Sequence, residues 1–526
     1  MAPSASPIDR AQSLIESGVR LHYRFIGLFL VAAVSALLAL GAWAVSSPPG
    51  SGADDDFHLA SIWCASAAGE QDCQPVTLDN PERDLGVGLY QVSDWPVICF
   101  VQDPTHDGNC GVLATTVVRA NIGLYPPLFY AYASAFVGDS PGAGVAGVRF
   151  AVAVVVVAVF ALAYLVALPW LRAPMLLSWV LGSMPLGVSL YASTSPSAWA
   201  VAGVAALWGP MVTAFLTTGW RRWVAVAVWW FGGVIAAGSR GDGALYVIGV
   251  SGLGMLLFLA RKRWPVLLAG LLLIGVAAGF FFRSGHSKLA SESFVDKFPP
   301  VPVHATVWSM IEAWPTYWSA LTGAPWGRTN ESDLLGWIDM PMPSGAWLPT
   351  TLVLGGFVLA GFGVMYWRKG TAVAVLVVVV VVIPLRSLLQ SEVLGGTLFQ
   401  PRYLLPLLLA WLGVVLLAHP GERLAFTRTQ LVVAGGLLGY ASAIALHAWL
   451  RRFVTGIGVV DIDLNRAPQW WTFTGASPMT VWIVGTLAWA VLLTIALAHY
   501  WPGVAGANAR GRSITRLNAG SSARPQ

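Results

Sequence analysis

The sequence carries one run of residues suited to acid–base chemistry, Asp54-Asp55-Asp56-Phe57-His58. Three successive carboxylates repel one another, which raises the pKa of a carboxyl in the group or calls for a shared cation. A carboxylate can act as a general base for a sugar hydroxyl, and Asp54 with Asp56 can hold a divalent cation such as Mg²⁺ or Mn²⁺ beside a phosphate. The simpler interpretation is a solvated acidic turn that caps a helix beginning near Phe57.

An aromatic segment that is broken by prolines follows further along the chain, Asn121-Ile122-Gly123-Leu124-Tyr125-Pro126-Pro127-Leu128-Phe129-Tyr130. Aromatic rings gather at the headgroup level of a membrane. Tyr125 and Tyr130 can therefore line the path of a lipid or stack on a sugar. The alternative is an ordinary aromatic belt that binds no ligand.

Two arginines in short polar turns form the third chemical signal. Arg240 lies in Ser239-Arg240-Gly241-Asp242, and Arg402 lies beside Tyr403 in Gln400-Pro401-Arg402-Tyr403-Leu404-Leu405-Pro406. The planar guanidinium fork suits phosphate, so both residues can bind a lipid-linked phosphate. Alternatively, they pair with carboxylates such as Asp242 and Glu392 or with lipid headgroups.

These residues must be positioned by membrane helices. Of 526 residues, 56% are hydrophobic and 10% are charged, against about 25% charged residues in soluble proteins. This composition excludes a soluble globular enzyme, a disordered chain and a small disulfide-rich secreted protein. The apolar runs predict an all-α integral membrane protein with about twelve transmembrane helices, near residues 25–46, 144–168, 175–192, 197–218, 223–239, 244–260, 265–282, 347–366, 371–388, 402–418, 430–449 and 479–500.

The distribution of basic residues predicts a multi-pass protein of the cytoplasmic membrane with both termini in the cytoplasm. Residues 1–24 form a cytoplasmic tail, 25–500 a polytopic membrane domain, and 501–526 a disordered basic tail. Ala42-Trp43-Ala44 resembles a signal-peptidase site, but the apolar run before it is longer than a signal peptide needs and predicts a retained helix. Because the basic residues lie in short loops and not on one face, they do not indicate nucleic-acid binding.

The predicted outer loops are unequal in length. The loop at 47–143 is the largest and should be structured, and a second large loop spans 283–346. All four cysteines lie in the first loop, which fits an oxidising exterior. We expect two disulfides between cysteines that are close in sequence, Cys64–Cys73 and Cys99–Cys110. The rival interpretation, a zinc site, lacks any C-x₂-C spacing.

The motifs resemble a bacterial membrane family, domain-of-unknown-function family 2142. The family's acidic pair and histidine after the first span are similar to Asp54-Asp55 and His58. Its aromatic–proline segment resembles Tyr125–Tyr130, and its late arginine–tyrosine–proline segment resembles Gln400–Pro406. The family is grouped by similarity with the GT-C glycosyltransferases, and the resemblance covers the chain from the first span to about residue 500.

The resemblance implies a GT-C-like enzyme. It would transfer a sugar from a polyprenyl-phosphate donor to a cell-envelope polysaccharide or glycolipid acceptor, with inversion at the anomeric carbon. Asp55 would be the catalytic base, because it lies three residues before His58. The expected roles of the others are as follows: Asp54 and Asp56 orient the base or share a cation, His58 bonds the acid or the donor phosphate, Arg402 and Arg240 stabilise the leaving phosphate, and Tyr125 and Tyr130 line the path.

Two non-enzymatic hypotheses remain beside this one. A lipid-linked glycan flippase or exporter would need a route through the spans, and an envelope-assembly scaffold would use the large first loop as a docking surface. The interiors of the predicted spans carry few charges, which disfavours an ion-coupled transporter. No P-loop occurs, so a donor available outside the cell is expected to be lipid-linked.

Overall fold

A computed structural model describes residues 7–52, 54–76, 86–98, 112–140, 142, 144–259, 263–285, eight positions between 302 and 322, 342–391, 401–420, 422–456 and 458–502. The helices are α1 Pro7–Ala44, α2 Asp55–Cys64, α3 Ala67–Asp72, α4 Leu128–Ala133, α5 Val145–Val166, α6 Pro169–Ser183, α7 Leu186–Tyr191, α8 Ser197–Leu216, α9 Gly219–Ala237, α10 Gly241–Phe258, α11 Trp264–Arg283, α12 Ser344–Phe362, α13 Trp367–Ser391, α14 Leu405–Val415, α15 Arg428–Val454 and α16 Pro478–Ala498. The strands are β1 Gln74–Pro75, β2 Val87–Ile98 and β3 Val112–Asn121.

The helices confirm a multi-pass membrane protein. Within the described ranges, nine are long and apolar enough to cross a bilayer: the Phe25–Ala44 part of α1, then α5, α8, α10, α11, α12, the Trp367–Arg386 part of α13, α15 and α16. Three predicted spans are not among them. One is divided into α6 and α7 around Met184-Pro185, α9 begins with a basic, less apolar turn, and α14 has 11 residues. The count of twelve therefore stays a prediction.

Helix α8 lies at the centre of the bundle and is buried along most of its length. It packs against α5, α9, α10 and α14. At Gly203 the backbones of α8 and α9 approach closely, since a Cβ there would lie 2.4 Å from the Gly232 carbonyl oxygen and 2.7 Å from the Ala236 Cβ. Gly232 and Ala236 are four residues apart, which is the small-residue spacing that allows membrane helices to pack tightly.

The segment between α1 and α5 contains a small sheet that the sequence did not predict. The sheet has the order β1-β2-β3 with antiparallel pairing, and its register shifts between Gln91 and Trp95. Helix α2 packs on β3, where the Asn121 amide donates to the Ser61 hydroxyl at 2.9 Å. The described membrane part is all-α, and the described residues of the segment between α1 and α5 form helices and a sheet.

The cysteine predictions have two outcomes. Cys64 at the end of α2 forms a disulfide with Cys73 beside β1, which confirms the first predicted pair. Cys99 and Cys110 lie outside the described residues. The confirmed disulfide therefore links the end of α2 to the start of the sheet.

At the end of the bundle away from the sheet, basic side chains donate hydrogen bonds to backbone carbonyls. These carbonyls lie at helix ends, where they have no partner within the helix. Arg172 donates to the Leu165 carbonyl at 2.8 Å and Arg222 to the Thr217 carbonyl at 2.7 Å. Lys369 donates to three carbonyls, including that of Gly361 at 2.7 Å. Cations at helix C-termini are favoured by the helix dipole. The cytoplasmic location of this end stays a prediction.

The close contact at Gly203 generates the first testable prediction. Gly203→Ala should destabilise the protein by about 1–3 kcal/mol, because its methyl group must separate α8 from α9. Gly249→Ala in α10 is the matched control, since a Cβ at Gly249 has no atom within 4 Å. Thermal unfolding in detergent, followed by tryptophan fluorescence, measures both changes, and equal midpoints for the two variants would contradict the prediction.

Candidate functional site

Arg149 holds the chain between α1 and α2 in place. Its side chain is buried in the first turns of α5, and its guanidinium donates to the carbonyls of Ser47 at 2.6 Å and Pro48 at 2.9 Å. The same group forms an ion pair with Asp55 at 2.7 Å. We did not single out Arg149 from the sequence. The signal was available, because an arginine inside a predicted span requires a partner.

Asp55 is fully buried, and the groups around it occupy both of its carboxylate oxygens. Oδ2 accepts from Arg149 and from the Gly52 amide at 3.1 Å, and Oδ1 accepts from the Thr194 hydroxyl. Burial opposes ionisation, but Arg149 and these hydrogen bonds outweigh it and lower the pKa of Asp55. This placement favours a structural role for Asp55 over the expected role of base.

The side chain of Asp54 points away from that of Asp55 and is partly exposed to solvent. Its backbone has φ 56°, in the left-handed region, and it occupies the N-cap position of α2 without forming a side-chain cap. Its carboxylate instead binds the buried Arg402 at 2.7 Å, with 33% of the Asp54 side chain exposed. The alternative of a simple capping turn therefore does not describe Asp54.

The electrostatics of Asp54 differ from the sequence expectation. Burial raises the pKa of Asp54, but Arg402 and Arg240 outweigh that effect, so the pKa lies below the usual 3.8. The sequence predicted that repulsion between the carboxylates would raise the pKa of one of them. This prediction is wrong for Asp54 and Asp55, because each pairs with its own arginine and has a lowered pKa. Both carboxylates are ionised at neutral pH.

Asp56 points to the sheet. It pairs with Arg119 of β3 at 2.6 Å, and both side chains are partly exposed. Such surface pairs contribute about 0–1 kcal/mol. Asp54 and Asp56 thus bind different arginines, and among the described residues no group of three or more His, Cys, Asp or Glu side chains can hold a metal ion. A divalent cation shared by Asp54 and Asp56 stays a prediction.

His58 lies beneath Asp54 among aromatic rings. It is fully buried, its Nδ1 is 2.9 Å from the Tyr130 hydroxyl, and its ring centroid is 5.2 Å from that of Tyr125. Burial lowers the pKa of His58 to about 3, so the imidazole is neutral. Burial also raises the pKa of both tyrosines. Within the described part of the chain, the buried Nε2 of His58 has no hydrogen-bond partner.

Arg240 forms an ion pair with an acidic side chain and lies close to two tyrosine rings. Its guanidinium binds Asp242 in a bidentate pair at 2.8 and 2.9 Å and donates to the Ser197 hydroxyl at 3.0 Å. It lies 5.4 Å from the ring centroid of Tyr125 and 5.2 Å from that of Tyr403. The pairing with Asp242 that we considered as an alternative is thus observed. Both distances are within the range of cation–π contacts, so the two rings help to hold the guanidinium in place.

Arg402 joins the same cluster from the turn before α14. Its guanidinium lies 5.3 Å from the Tyr403 ring, and the Tyr403 carbonyl accepts from the Tyr246 hydroxyl at 3.0 Å, which fixes the turn against α10. Glu392, the other acid considered as a partner for an arginine, lies outside the described residues. The buried guanidinium of Arg402 thus lies beside the accessible carboxylate of Asp54.

The structure brings the predicted site residues together from four distant segments. The connected cluster contains Asp54, His58, Tyr125, Tyr130, Arg240, Asp242, Arg402 and Tyr403. Asp55 and Asp56 lie outside it, because Asp55 pairs with Arg149 and Asp56 with Arg119 of the sheet. Chemically, the cluster offers one accessible base, two guanidinium groups and a wall of neutral rings.

Comparison with known proteins identifies the family. A family model described as Predicted membrane protein (DUF2142) matches residues 37–411, more than half of the chain. The chain belongs to this family. All residues of the cluster lie inside the matched range of the DUF2142 model. Neither the curated proteins nor the solved structures give a match.

The buried neutral His58 makes stability depend on pH. Below pH 6.5 the unfolded chain binds a proton on His58, whereas the folded chain does so only near pH 3. Stability should therefore fall as pH decreases from 6.5, by up to about 1.4 kcal/mol per pH unit. Melting midpoints between pH 7 and 4.5 should decline less steeply in His58→Gln than in the wild type, and parallel curves would contradict the prediction.

The buried pair of Arg149 and Asp55 predicts a large loss of stability on mutation. Arg149→Met should cost about 3–5 kcal/mol, because it leaves a buried carboxylate without its partner. Arg119→Met removes the exposed partner of Asp56 and should cost about 0–1 kcal/mol. Thermal unfolding of both variants tests the contrast. Similar losses would show that the Arg149 pair is not the stronger of the two.

Proposed function

We propose that the protein is a membrane glycosyltransferase of GT-C-like architecture with twelve membrane crossings. It transfers a sugar from a polyprenyl-phosphate donor to a cell-envelope glycan or glycolipid on the outer face of the cytoplasmic membrane. The observation that carries this proposal is the accessible carboxylate of Asp54 beside the buried guanidinium of Arg402, at the end of the bundle.

The donor phosphate would bind the two arginines. Arg402 and Arg240 belong to one cluster, and guanidinium groups bind phosphate oxygens with strong, directional hydrogen bonds. Arg240 keeps Asp242 as its partner, and this bidentate pair fixes the position of its guanidinium beside the proposed phosphate site. Arg402 has a partly exposed partner, Asp54, that an entering phosphate can replace.

The base in this proposal is Asp54, whereas the sequence favoured Asp55. The acceptor hydroxyl oxygen attacks the anomeric carbon and its proton passes to Asp54. The bond from the anomeric carbon to the phosphate oxygen breaks, and polyprenyl phosphate leaves with the electron pair. Because Arg402 lowers the pKa of Asp54, a phosphate that engages Arg402 would make Asp54 a stronger base.

The aromatic residues would shape the rest of the site. The rings of Tyr125 and Tyr403 both lie within cation–π distance of Arg240 and would help to keep it oriented. His58 is neutral and bound to Tyr130, so it can donate or accept a hydrogen bond without adding charge. The proposed reaction is written without a metal-dependent step.

An assay of sugar transfer tests the proposal. The purified protein in nanodiscs is incubated with radiolabelled polyprenyl-phosphate sugars and a cell-envelope acceptor. Asp54→Asn should lose about 10²–10⁴-fold in transfer rate, the usual contribution of a general base. Asp461→Asn is the matched control, since Asp461 also pairs with an arginine, Arg466, but lies in the exposed loop before α16.

The outcomes separate the competing functions. Unchanged transfer by Asp54→Asn would remove Asp54 from the chemistry. Transport of a lipid-linked glycan across proteoliposomes without transfer, and unaffected by Asp54→Asn, would favour the flippase. Loss of envelope assembly only when the first loop fails to fold would favour the scaffold.

A further inference from the structure

A large apolar cavity lies inside the membrane part, away from the acidic cluster. It has a volume of about 500 Å³ and lies between α1, α5, α6 and α16. This volume falls within the range of small-molecule sites, about 300–1,000 Å³. Its walls are almost entirely hydrocarbon, with Ala33, Phe160, Trp179 and Leu492 as examples. Such a cavity does not hold water well.

The cavity opens toward the bilayer. Leu28 of α1 and Thr494 of α16 both line it, and both are exposed at the surface of the bundle. They belong to helices that qualify as membrane spans. The opening between them therefore faces lipid, and a hydrocarbon chain can enter from the side.

One end of the cavity is polar and positively charged. Arg423 and His499 line it, the Arg423 guanidinium donates to the His499 carbonyl, and His499 Nε2 is 2.8 Å from the Tyr164 hydroxyl. Arg172 lies 5.0 Å from the ring centroid of Phe25, another lining residue. Within the described part of the chain, no acidic side chain forms an ion pair with Arg423 or Arg172.

This polar end is remote from Asp54. Phe25 precedes the end of α1 at Ala44 by 19 residues, which corresponds to about 28 Å along a helix. That length is close to the hydrocarbon thickness of a bilayer. The polar end of the cavity and the acidic cluster therefore lie at opposite membrane surfaces.

We propose that the cavity binds an anionic phospholipid from the leaflet opposite the acidic cluster. One acyl chain would occupy the apolar cavity, and the phosphate of the headgroup would lie at Arg423. The charge at the polar end selects an anion, because a guanidinium binds phosphate oxygens strongly. The donor lipid of the proposed function carries its phosphate at the other surface, so this site does not depend on that proposal.

Native mass spectrometry of the detergent-solubilised protein tests the site. Phosphatidylglycerol and phosphatidylcholine with identical acyl chains are titrated separately. The wild type should bind phosphatidylglycerol at about tenfold lower concentration, and Arg423→Gln should lose this preference. Ala161→Phe, which places a ring inside the cavity, should weaken binding of both lipids. Arg428→Gln is the matched control, since Arg428 stacks on Trp501 nearby and does not line the cavity.

Each other outcome would overturn the proposal in a defined way. Equal binding of the two lipids by the wild type would remove the role of charge. Equal losses in Arg423→Gln and Arg428→Gln would indicate general attraction to a basic surface. Binding of undecaprenyl phosphate at a lower concentration than phosphatidylglycerol, with loss of this preference in Ala161→Phe, would identify the occupant as an isoprenoid lipid instead. Melting midpoints of all variants confirm that they are folded.

Discussion

The ion pair between Arg149 and Asp55 is the interaction on which the arrangement of the acidic cluster depends. It joins α5 to the beginning of α2, and the Thr194 hydroxyl adds the turn before α8. A charge buried in a membrane protein is tolerated only with a partner. Arg149 binds the Asp55 carboxylate on one side of the chain. Asp54, the residue before it, has a left-handed backbone conformation, and its carboxylate points away from Arg149 toward Arg402. Adjacent acids thus face opposite sides of the chain.

Local patterns in the sequence predicted the nine membrane helices of the described ranges and the residues that meet in the cluster, although Asp55 and Asp56 lie outside it. Long apolar runs set the spans, and polar residues at their ends mark positions that can face a ligand. These patterns did not predict which aspartate is accessible. That distinction depends on Arg149, almost one hundred residues away and hidden in an apolar run.

The small sheet was missed for a related reason. Strand β1 has two residues, and β2 pairs with β3 across a long intervening segment. Pairing over such a distance leaves only a weak local signal. The helix breaks within the bundle were also hard to predict, since α6 and α7 together form one continuous apolar pattern, and only the prolines indicate the interruption.

The disulfide between Cys64 and Cys73 gives the cluster a chemical dependence of its own. Helix α2 has ten residues, and a helix that short is marginal in water without support. Arg149 restrains its first turn, and the disulfide ties its last residue to the sheet. Before the thiols are oxidised, only the first of these restraints exists. The last turn of α2 is therefore tied to the sheet only where the cysteines can be oxidised, whereas the first turn is held by an ion pair that is independent of redox conditions.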